Sequence, residues 1–81
     1  MYTVLICDDD RDIRAALRIY LTDAGYAVAE AKNGAEALSA VGEEGLDLIL
    51  LDIMMPVMDG LTALAEIRRS SASPAILLTA K

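Results

Sequence analysis

The sequence contains no histidine and only one cysteine, Cys7, among its 81 residues. Without histidine, the chain can build neither a histidine-ligated metal site nor a Ser-His-Asp catalytic triad. A single cysteine excludes an internal disulfide, which fits a reducing compartment. Because Cys7 lies inside an apolar run, we expect a buried, inert thiol and not a nucleophile.

Long apolar runs and an excess of positive charge are also absent. Although 56% of the residues are hydrophobic, the longest apolar runs are far shorter than the roughly 20 residues of a membrane-spanning helix. No basic segment precedes the first acid, Asp8, so no signal peptide is predicted. A net charge of -6 disfavours direct nucleic-acid binding and suits a module that binds cations or proteins. We therefore expect a cytoplasmic domain that binds neither a membrane nor nucleic acid.

The 81 residues allow one small domain, which spans residues 1–81. Four apolar runs predict strands at Thr3–Cys7, Tyr26–Glu30, Leu48–Leu51 and Ala75–Thr79. Three segments with a helical period lie between them. Strands that alternate with helices through short loops predict a doubly wound α/β fold with a parallel sheet and right-handed crossovers.

The first helix is predicted to begin with Asp9 or Asp10 as its N-cap and to end just before Gly25. Its apolar stripe and its solvated side can be separated by the helical period. The stripe consists of Ile13, Ala16, Leu17, Tyr20, Leu21 and Ala24, and the solvated side carries Arg11, Arg14 and Arg18.

The second and third helices have recognisable start signals. Asn33 and Glu36 have the spacing of a capping box, and Asp59 is the predicted cap of the third helix. The second helix is predicted to continue through Ala37, Leu38 and Val41 and to stop near Gly42 to Gly45. The third is predicted to have Leu61, Leu64 and Ile67 as its buried stripe.

Polar side chains end three of the predicted strands. Asp8 and Asp9 follow the first strand, Asp52 follows the third, and Thr79 closes the fourth. In a parallel sheet these ends share one edge, and a strand order of 2-1-3-4 would place the first and third strands side by side at the switch point. Asp8, Asp9 and Asp52 would then crowd one crevice.

Crowded carboxylates need either protons or a cation. Two carboxylates about 5 Å apart repel by roughly 3 kcal/mol at an effective dielectric of about 20. A set of ligands with oxygen only favours Mg²⁺, and a carboxylate beside Mg²⁺ can act as a nucleophile toward a phosphoryl group. The residues therefore indicate phosphoryl transfer onto Asp52, with the Thr79 hydroxyl near a phosphoryl oxygen.

Three motifs occur in a diagnostic order: Asp8-Asp9 after an apolar strand, Leu-Leu-Asp-Ile-Met-Met-Pro-Val-Met-Asp-Gly around Asp52, and Leu-Leu-Thr-Ala-Lys. Over essentially all 81 residues the chain resembles a receiver domain of two-component response regulators. The resemblance implies a flavodoxin-like fold and a phosphoprotein of a phosphorelay that is not an enzyme beyond self-catalysed phosphorylation and hydrolysis of Asp52. It also implies a sensor histidine kinase as phosphoryl donor and an output domain outside this chain, of the winged-helix DNA-binding type that regulates transcription.

The same resemblance implies a set of site residues around Mg²⁺, for which Mn²⁺ could substitute. The metal would be held by carboxylates and one main-chain carbonyl, the phosphoryl group by one hydroxyl and two main-chain amides, and the kinase by a basic helix face. The metal ligands are Asp8, Asp9, Asp52 and the Met54 carbonyl; the phosphoryl contacts are Thr79 and the Met54 and Ala80 amides; the kinase-docking residues are Arg14 and Arg18.

The chain departs from the family pattern in one respect. The family has five strands in the order 2-1-3-4-5, whereas this sequence ends after the fourth, so we expect the fifth strand, the last two helices and the phosphate-pairing lysine to be missing. Lys81 belongs to the Thr-Ala-Lys motif and is not that lysine. The fourth strand would be an exposed apolar edge, and we expect a dimer or a swapped oligomer.

Two other functions were weighed against the receiver. A phosphorylation-incompetent fragment or interaction module with the same fold would follow from the missing lysine. A phosphatase of the haloacid dehalogenase type requires a second acid two residues after the nucleophile, where this chain has Met54. Dinucleotide binding is excluded because no Gly-x-Gly-x-x-Gly follows any predicted strand.

Overall fold

The computed structural model of the protein describes residues 2–43, 46–53, 60–69 and 74–78. Strands and helices alternate through the described residues, as the sequence predicts. The elements are β1 Thr3–Cys7, α1 Arg11–Asp23, β2 Ala27–Ala31, α2 Gly34–Glu43, β3 Leu48–Asp52, α3 Gly60–Ile67 and β4 Ala75–Leu78. None of the helices in this part of the chain has the length and hydrophobicity that a membrane crossing requires.

The strands of the described residues form one parallel sheet in the order β2-β1-β3-β4, which confirms the predicted topology. The chain runs one way from β1 to β2 and the other way from β2 through β3 to β4. Because parallel crossovers are right-handed, this reversal places α1 on one face of the sheet and α2 and α3 on the other. β2 begins and ends one residue later than predicted, and Thr79, the predicted end of β4, lies outside the described residues.

The core lies between the sheet and the pair α2 and α3. Alternate residues of β1 and β3 point into it, because successive side chains of a strand face opposite sides. Its buried members are Leu5, Cys7, Ala31, Ala37, Leu46, Ile49, Leu51, Ala63 and Ile67. Leu38 and Val41 of α2 are half-buried and pack against this cluster.

Helix α1 packs less deeply than its sequence predicts, since none of its residues is fully buried. Ile13, Leu17 and Leu21 are half-buried, whereas Ala16, Tyr20 and Ala24 of the predicted stripe are exposed. The six-residue stripe is therefore too broad: the half-buried row follows the spacing i, i+4, i+8, which is one narrow line along a helix.

The ends of α1 are as predicted. The Asp10 side chain accepts hydrogen bonds from the amides of Asp12 and Ile13, at 2.9 and 3.3 Å, so Asp10 is the N-cap. Gly25 follows the C-cap residue with a φ of 96°, a left-handed conformation that glycine adopts without the steric cost of a Cβ.

The start of α2 has the predicted cap with one shift. The Asn33 side chain accepts a 2.9 Å hydrogen bond from the Glu36 amide, as in a capping box. The Glu36 carboxylate reaches one residue further back than expected and accepts from the Lys32 amide at 2.9 Å. Both interactions satisfy main-chain N–H groups near the start of the helix. Asp59, the predicted cap of α3, lies outside the described residues.

The buried face of α3 differs from the prediction at Leu61. Ile67 is fully buried and Leu64 is half-buried, but Leu61 is 56% exposed and Ala63 is fully buried in its place. On a helix, Leu61 lies about 160° around the axis from Ala63. The small side chain of Ala63 therefore marks the centre of the contact, and the larger Leu61 lies beyond its edge.

Strand β4 pairs with β3 alone among the described residues, and Ile76 is half exposed. Both observations agree with the predicted apolar edge. The predicted dimer or swapped oligomer stays a prediction.

Truncating the buried Ile67 of α3 should destabilise the fold far more than truncating the exposed Leu61. Ile67→Ala removes a fully buried side chain and should lower the free energy of unfolding by about 2–5 kcal/mol. Leu61→Ala on the same helix should cost about 0.5 kcal/mol or less. Urea denaturation of both variants measures the difference, and equal losses would contradict the observed orientation of α3.

Candidate metal centre at the sheet edge

Three carboxylates meet at the carboxyl ends of β1 and β3. The register pairs Cys7 with Leu51, so Asp8, directly after β1, is level with Asp52, the last residue of β3. One carboxylate oxygen each from Asp8, Asp9 and Asp52 lies within 4.8 Å of the other two. The predicted convergence of these acids is therefore observed.

The burial of these acids is unequal. Asp8 is 2% exposed and Asp52 is 1% exposed, whereas Asp9 is exposed. Burial makes a charged carboxylate costly unless an opposite charge or hydrogen bonds compensate it. The site therefore has two buried acids, Asp8 and Asp52, and one solvent-exposed acid, Asp9.

The donor set fits a small hard cation. All three side chains offer carboxylate oxygens, and the chain has no histidine. Oxygens that bind one Mg²⁺ directly lie about 3 to 4 Å apart, given metal–oxygen distances of about 2.1 Å. A limit of 4.8 Å thus allows all three acids to surround one ion after a small adjustment or through a water molecule.

Main-chain hydrogen bonds hold the junction between β1 and α1. The Asp8 amide donates to the Ala31 carbonyl of β2 at 3.1 Å. The Asp8 carboxylate accepts from the Asp10 amide at 2.9 Å, and Asp10 in turn caps α1. These contacts hold Asp8 against β2 and the start of α1, where it is buried. The next residue, Asp9, is exposed to solvent.

The structure contains an ion-pair cluster that the sequence did not predict. Arg14 and Arg18 of α1 both form salt bridges with Glu30 of β2. The hydrogen bond from Arg18, followed by that from Arg14, lowers the pKa of Glu30. In the sequence, the one indication of this cluster was Glu30, a charged residue in an otherwise apolar strand. Which residues pair with Glu30 depends on how α1 lies over β2.

The solvated face predicted for α1 is correct for two arginines and wrong for the third. Arg11 and Arg18 are exposed, but the Arg14 side chain is only 14% exposed because it reaches across the sheet edge to Glu30 and to the Asp8 carbonyl. The kinase-docking role of Arg14 and Arg18 stays a prediction.

Cys7 is the inert buried thiol that the sequence predicts. It is fully buried, and its Sγ donates to the Asn33 carbonyl at 3.5 Å. Burial, reinforced by the negative charges of Asp8 and Asp52, raises its pKa to about 12. A thiol with that pKa is protonated at neutral pH, which excludes it as a thiolate nucleophile or metal ligand.

The remaining predicted site residues, Met54, Thr79 and Ala80, and also Lys81, lie outside the described residues. Their roles stay predictions.

The sequence of the chain is similar to those of known proteins. A family model described as "Response regulator receiver domain" matches residues 4–81. The chain is 49% identical over 78 residues to the transcriptional regulatory protein ResD of Bacillus subtilis, covering 96% of this chain and 32% of ResD. It is 43% identical over 81 residues to the transcriptional regulatory protein AfsQ1 of Streptomyces coelicolor, covering 100% of this chain and 36% of AfsQ1. The chain thus spans about a third of the length of these relatives.

Two solved structures involve one similar protein, the response regulator TrrA of Thermotoga maritima. Its crystal structure in complex with Mg²⁺-BeF superposes with a TM-score of 0.93 at 40% identity, covering 100% of this chain and 71% of that one. A structure of TrrA in complex with the histidine kinase ThkA gives a TM-score of 0.91 at 41% identity, covering 99% of this chain and 70% of that one. The match to the Mg²⁺-BeF complex covers the whole of this chain, including the three acids.

The native chain should protect Cys7 from thiol reagents. At pH 8 a thiol with a pKa of about 12 is thiolate in about one molecule in ten thousand, against about one in four for an unperturbed cysteine with a pKa of about 8.5. Reaction with a chromogenic disulfide reagent should therefore be about a thousandfold slower, or more, in the native chain than in urea. Similar rates in the two conditions would contradict the burial and the raised pKa of Cys7.

Proposed function

The chain belongs to the family of response regulator receiver domains, and on that premise we propose that Asp52 accepts a phosphoryl group at a site where Asp8, Asp9 and Asp52 hold Mg²⁺. The observation that carries the proposal is the convergence of the three carboxylates, each with an oxygen within 4.8 Å of the others. The Mg²⁺-BeF complex of TrrA, a protein 40% identical to this chain, supports a metal at this place.

The reaction is a displacement at phosphorus. A carboxylate oxygen of Asp52 attacks the phosphorus of a phosphohistidine, forming an O–P bond as the P–N bond breaks. The electron pair of the broken bond goes to the imidazole nitrogen of the donor, which then takes a proton. The product is an acyl phosphate on Asp52. Asp52 is assigned this role because it is the acid in the Leu-Leu-Asp-Ile-Met-Met-Pro motif.

The other two acids prepare the site for an anionic substrate. Asp8 and Asp9 add negative charge beside Asp52, which would repel a phosphoryl group from an empty cluster. Bound Mg²⁺ supplies the positive charge that offsets both the carboxylates and the phosphoryl oxygens. Mn²⁺ prefers the same kind of oxygen ligands, and we expect it to substitute.

The proposed roles of Met54, Thr79 and Ala80 are supported by the sequence motifs alone. The Met54 carbonyl would complete the metal ligands. The Thr79 hydroxyl and the amides of Met54 and Ala80 would donate to the phosphoryl oxygens, which is how main-chain and hydroxyl donors bind phosphate in general.

The proposed partners follow from the relatives. The structure of TrrA with the histidine kinase ThkA supports a sensor histidine kinase as the phosphoryl donor. The proposed docking residues, Arg14 and Arg18 of α1, are supported by the family resemblance alone. ResD and AfsQ1 are transcriptional regulatory proteins about three times as long as this chain, which supports a DNA-binding output domain as the element that is switched. With a net charge of -6, the receiver would leave DNA contact to that output domain, in the cytoplasm.

Incubating the chain with Mg²⁺ and acetyl phosphate should add one phosphoryl group, which intact-mass spectrometry detects as a gain of about 80 Da. Asp52→Asn should abolish the gain because it removes the nucleophilic carboxylate, and a metal chelator should abolish it in the unmodified chain. Asp23→Asn is the matched control, since Asp23 is an exposed acid at the far end of α1.

Two results would overturn the proposal. An Asp52→Asn chain that still gains one phosphoryl group would place the phosphoacceptor elsewhere. A folded chain that gains none with Mg²⁺ present would instead support the interaction module that does not depend on phosphorylation.

A further inference from the structure

We infer that Arg14 is a positioning residue for the metal site, because its guanidinium joins the main chain of Asp8 to Glu30 and so fixes the peptide between Asp8 and Asp9. The inference rests on the proposed function, since the position of this peptide matters only if its two acids bind a cation.

The Arg14 side chain makes two hydrogen bonds, one at the end of β1 and one to β2. Its Nη1 donates to the Asp8 carbonyl at 2.7 Å, and its Nε donates to Glu30 Oε1 at 3.1 Å. Its own amide donates to the Asp10 carbonyl at 3.1 Å in the first turn of α1. With 14% of the side chain exposed, this arginine is held between the end of β1, the strand β2 and the start of α1.

The carbonyl that Arg14 contacts belongs to the peptide unit that links the two acids. A peptide unit is planar, so fixing its oxygen also fixes the direction in which the Asp9 Cα leaves. The other side of Asp8 is already held, because its amide donates to the Ala31 carbonyl and its carboxylate accepts from the Asp10 amide. Arg14 therefore adds a constraint on how Asp9 is oriented relative to Asp8.

Arg18 shows that this role is specific to Arg14. Arg18 also pairs with Glu30 and donates to the Val28 carbonyl at 3.5 Å, but its side chain is 46% exposed. Among the described contacts of Arg18, none reaches the β1–α1 junction. Arg18 holds the carboxylate of Glu30 in place. Arg14 also binds that carboxylate, and in addition it donates to the Asp8 carbonyl.

Charge and position have opposite effects on metal affinity, which makes the inference testable. A positive charge beside a cation site repels the ion, so removing Arg14 should strengthen Mg²⁺ binding if only charge mattered. If Arg14 positions the acids, removing it should weaken binding, and supporting contacts of metal ligands are typically worth about 10–100-fold in affinity.

The test is a Mg²⁺ titration of the chain, followed by amide NMR shifts, for the unmodified protein, Arg14→Ala, Arg14→Lys and Arg18→Ala. We expect Arg14→Ala to weaken Mg²⁺ binding about tenfold or more, with shifted Asp9 and Asp10 amides before metal is added. Arg14→Lys keeps the charge but lacks the rigid fork that reaches two acceptors, so we expect a loss of several-fold. Arg18→Ala removes one positive charge and one salt bridge with Glu30, and should bind Mg²⁺ as tightly as the unmodified chain or slightly more tightly.

Each outcome decides the matter. Unchanged or tighter binding in Arg14→Ala, or an equal loss in Arg18→Ala, would overturn the positioning role while leaving the proposed function intact. If Arg14→Ala does not fold, Arg14→Lys decides: a several-fold loss supports the inference, and unmodified affinity overturns it. An unmodified chain that binds no Mg²⁺ would instead defeat the proposed function, which separates the two failures.

Discussion

The mutual repulsion of buried carboxylates is the constraint around which this molecule is arranged. Asp8 and Asp52 lie side by side, almost without solvent contact, because β1 and β3 pair in a register that places Cys7 opposite Leu51. Such a pair costs stability, and folded proteins retain such costs mainly at functional sites. In the function we propose, a bound divalent cation would offset this repulsion, so the feature that costs stability in the metal-free chain would favour binding of a cation.

The fold supports this edge unequally on its two faces. On one face, α2 and α3 bury a continuous apolar core against β1 and β3, which holds the strands in register. On the other face, Val4 and Ile6 of β1 are buried, although no residue of α1 itself is fully buried. The Asp10 cap and the salt bridges of Arg14 and Arg18 with Glu30 add polar contacts there. Because the acidic junction leads directly into α1, the polar contacts of Arg14 act on the main chain that carries Asp8 and Asp9. These contacts are the physical basis for assigning Arg14 a positioning role.

Much of this architecture can be predicted from local patterns. Strand runs and helical periods determine the order of elements, and the rule of right-handed crossovers then leaves a parallel sheet in which strand-end acids meet. The caps at Asp10 and Gly25 are equally local. What could not be predicted depends on contacts between elements. The burial of Arg14 requires Glu30 to lie beneath α1, and the burial of Ala63 instead of Leu61 depends on how α3 is rotated against the core. Hydrophobicity alone favoured the larger side chain, although the smaller one occupies the buried position.

The family and the fold follow from the whole chain, but the chemistry depends on a few oxygens. The central claim is that Asp8, Asp9 and Asp52 hold one ion together. The most direct measurement is the stoichiometry of Mg²⁺ binding by calorimetry, combined with NMR shifts at both junctions. We expect one ion per chain, with the amides of residues 8–10 and 52–53 shifting along a single binding curve. Saturable binding that moves only one junction, or no saturable binding at all, would contradict the account.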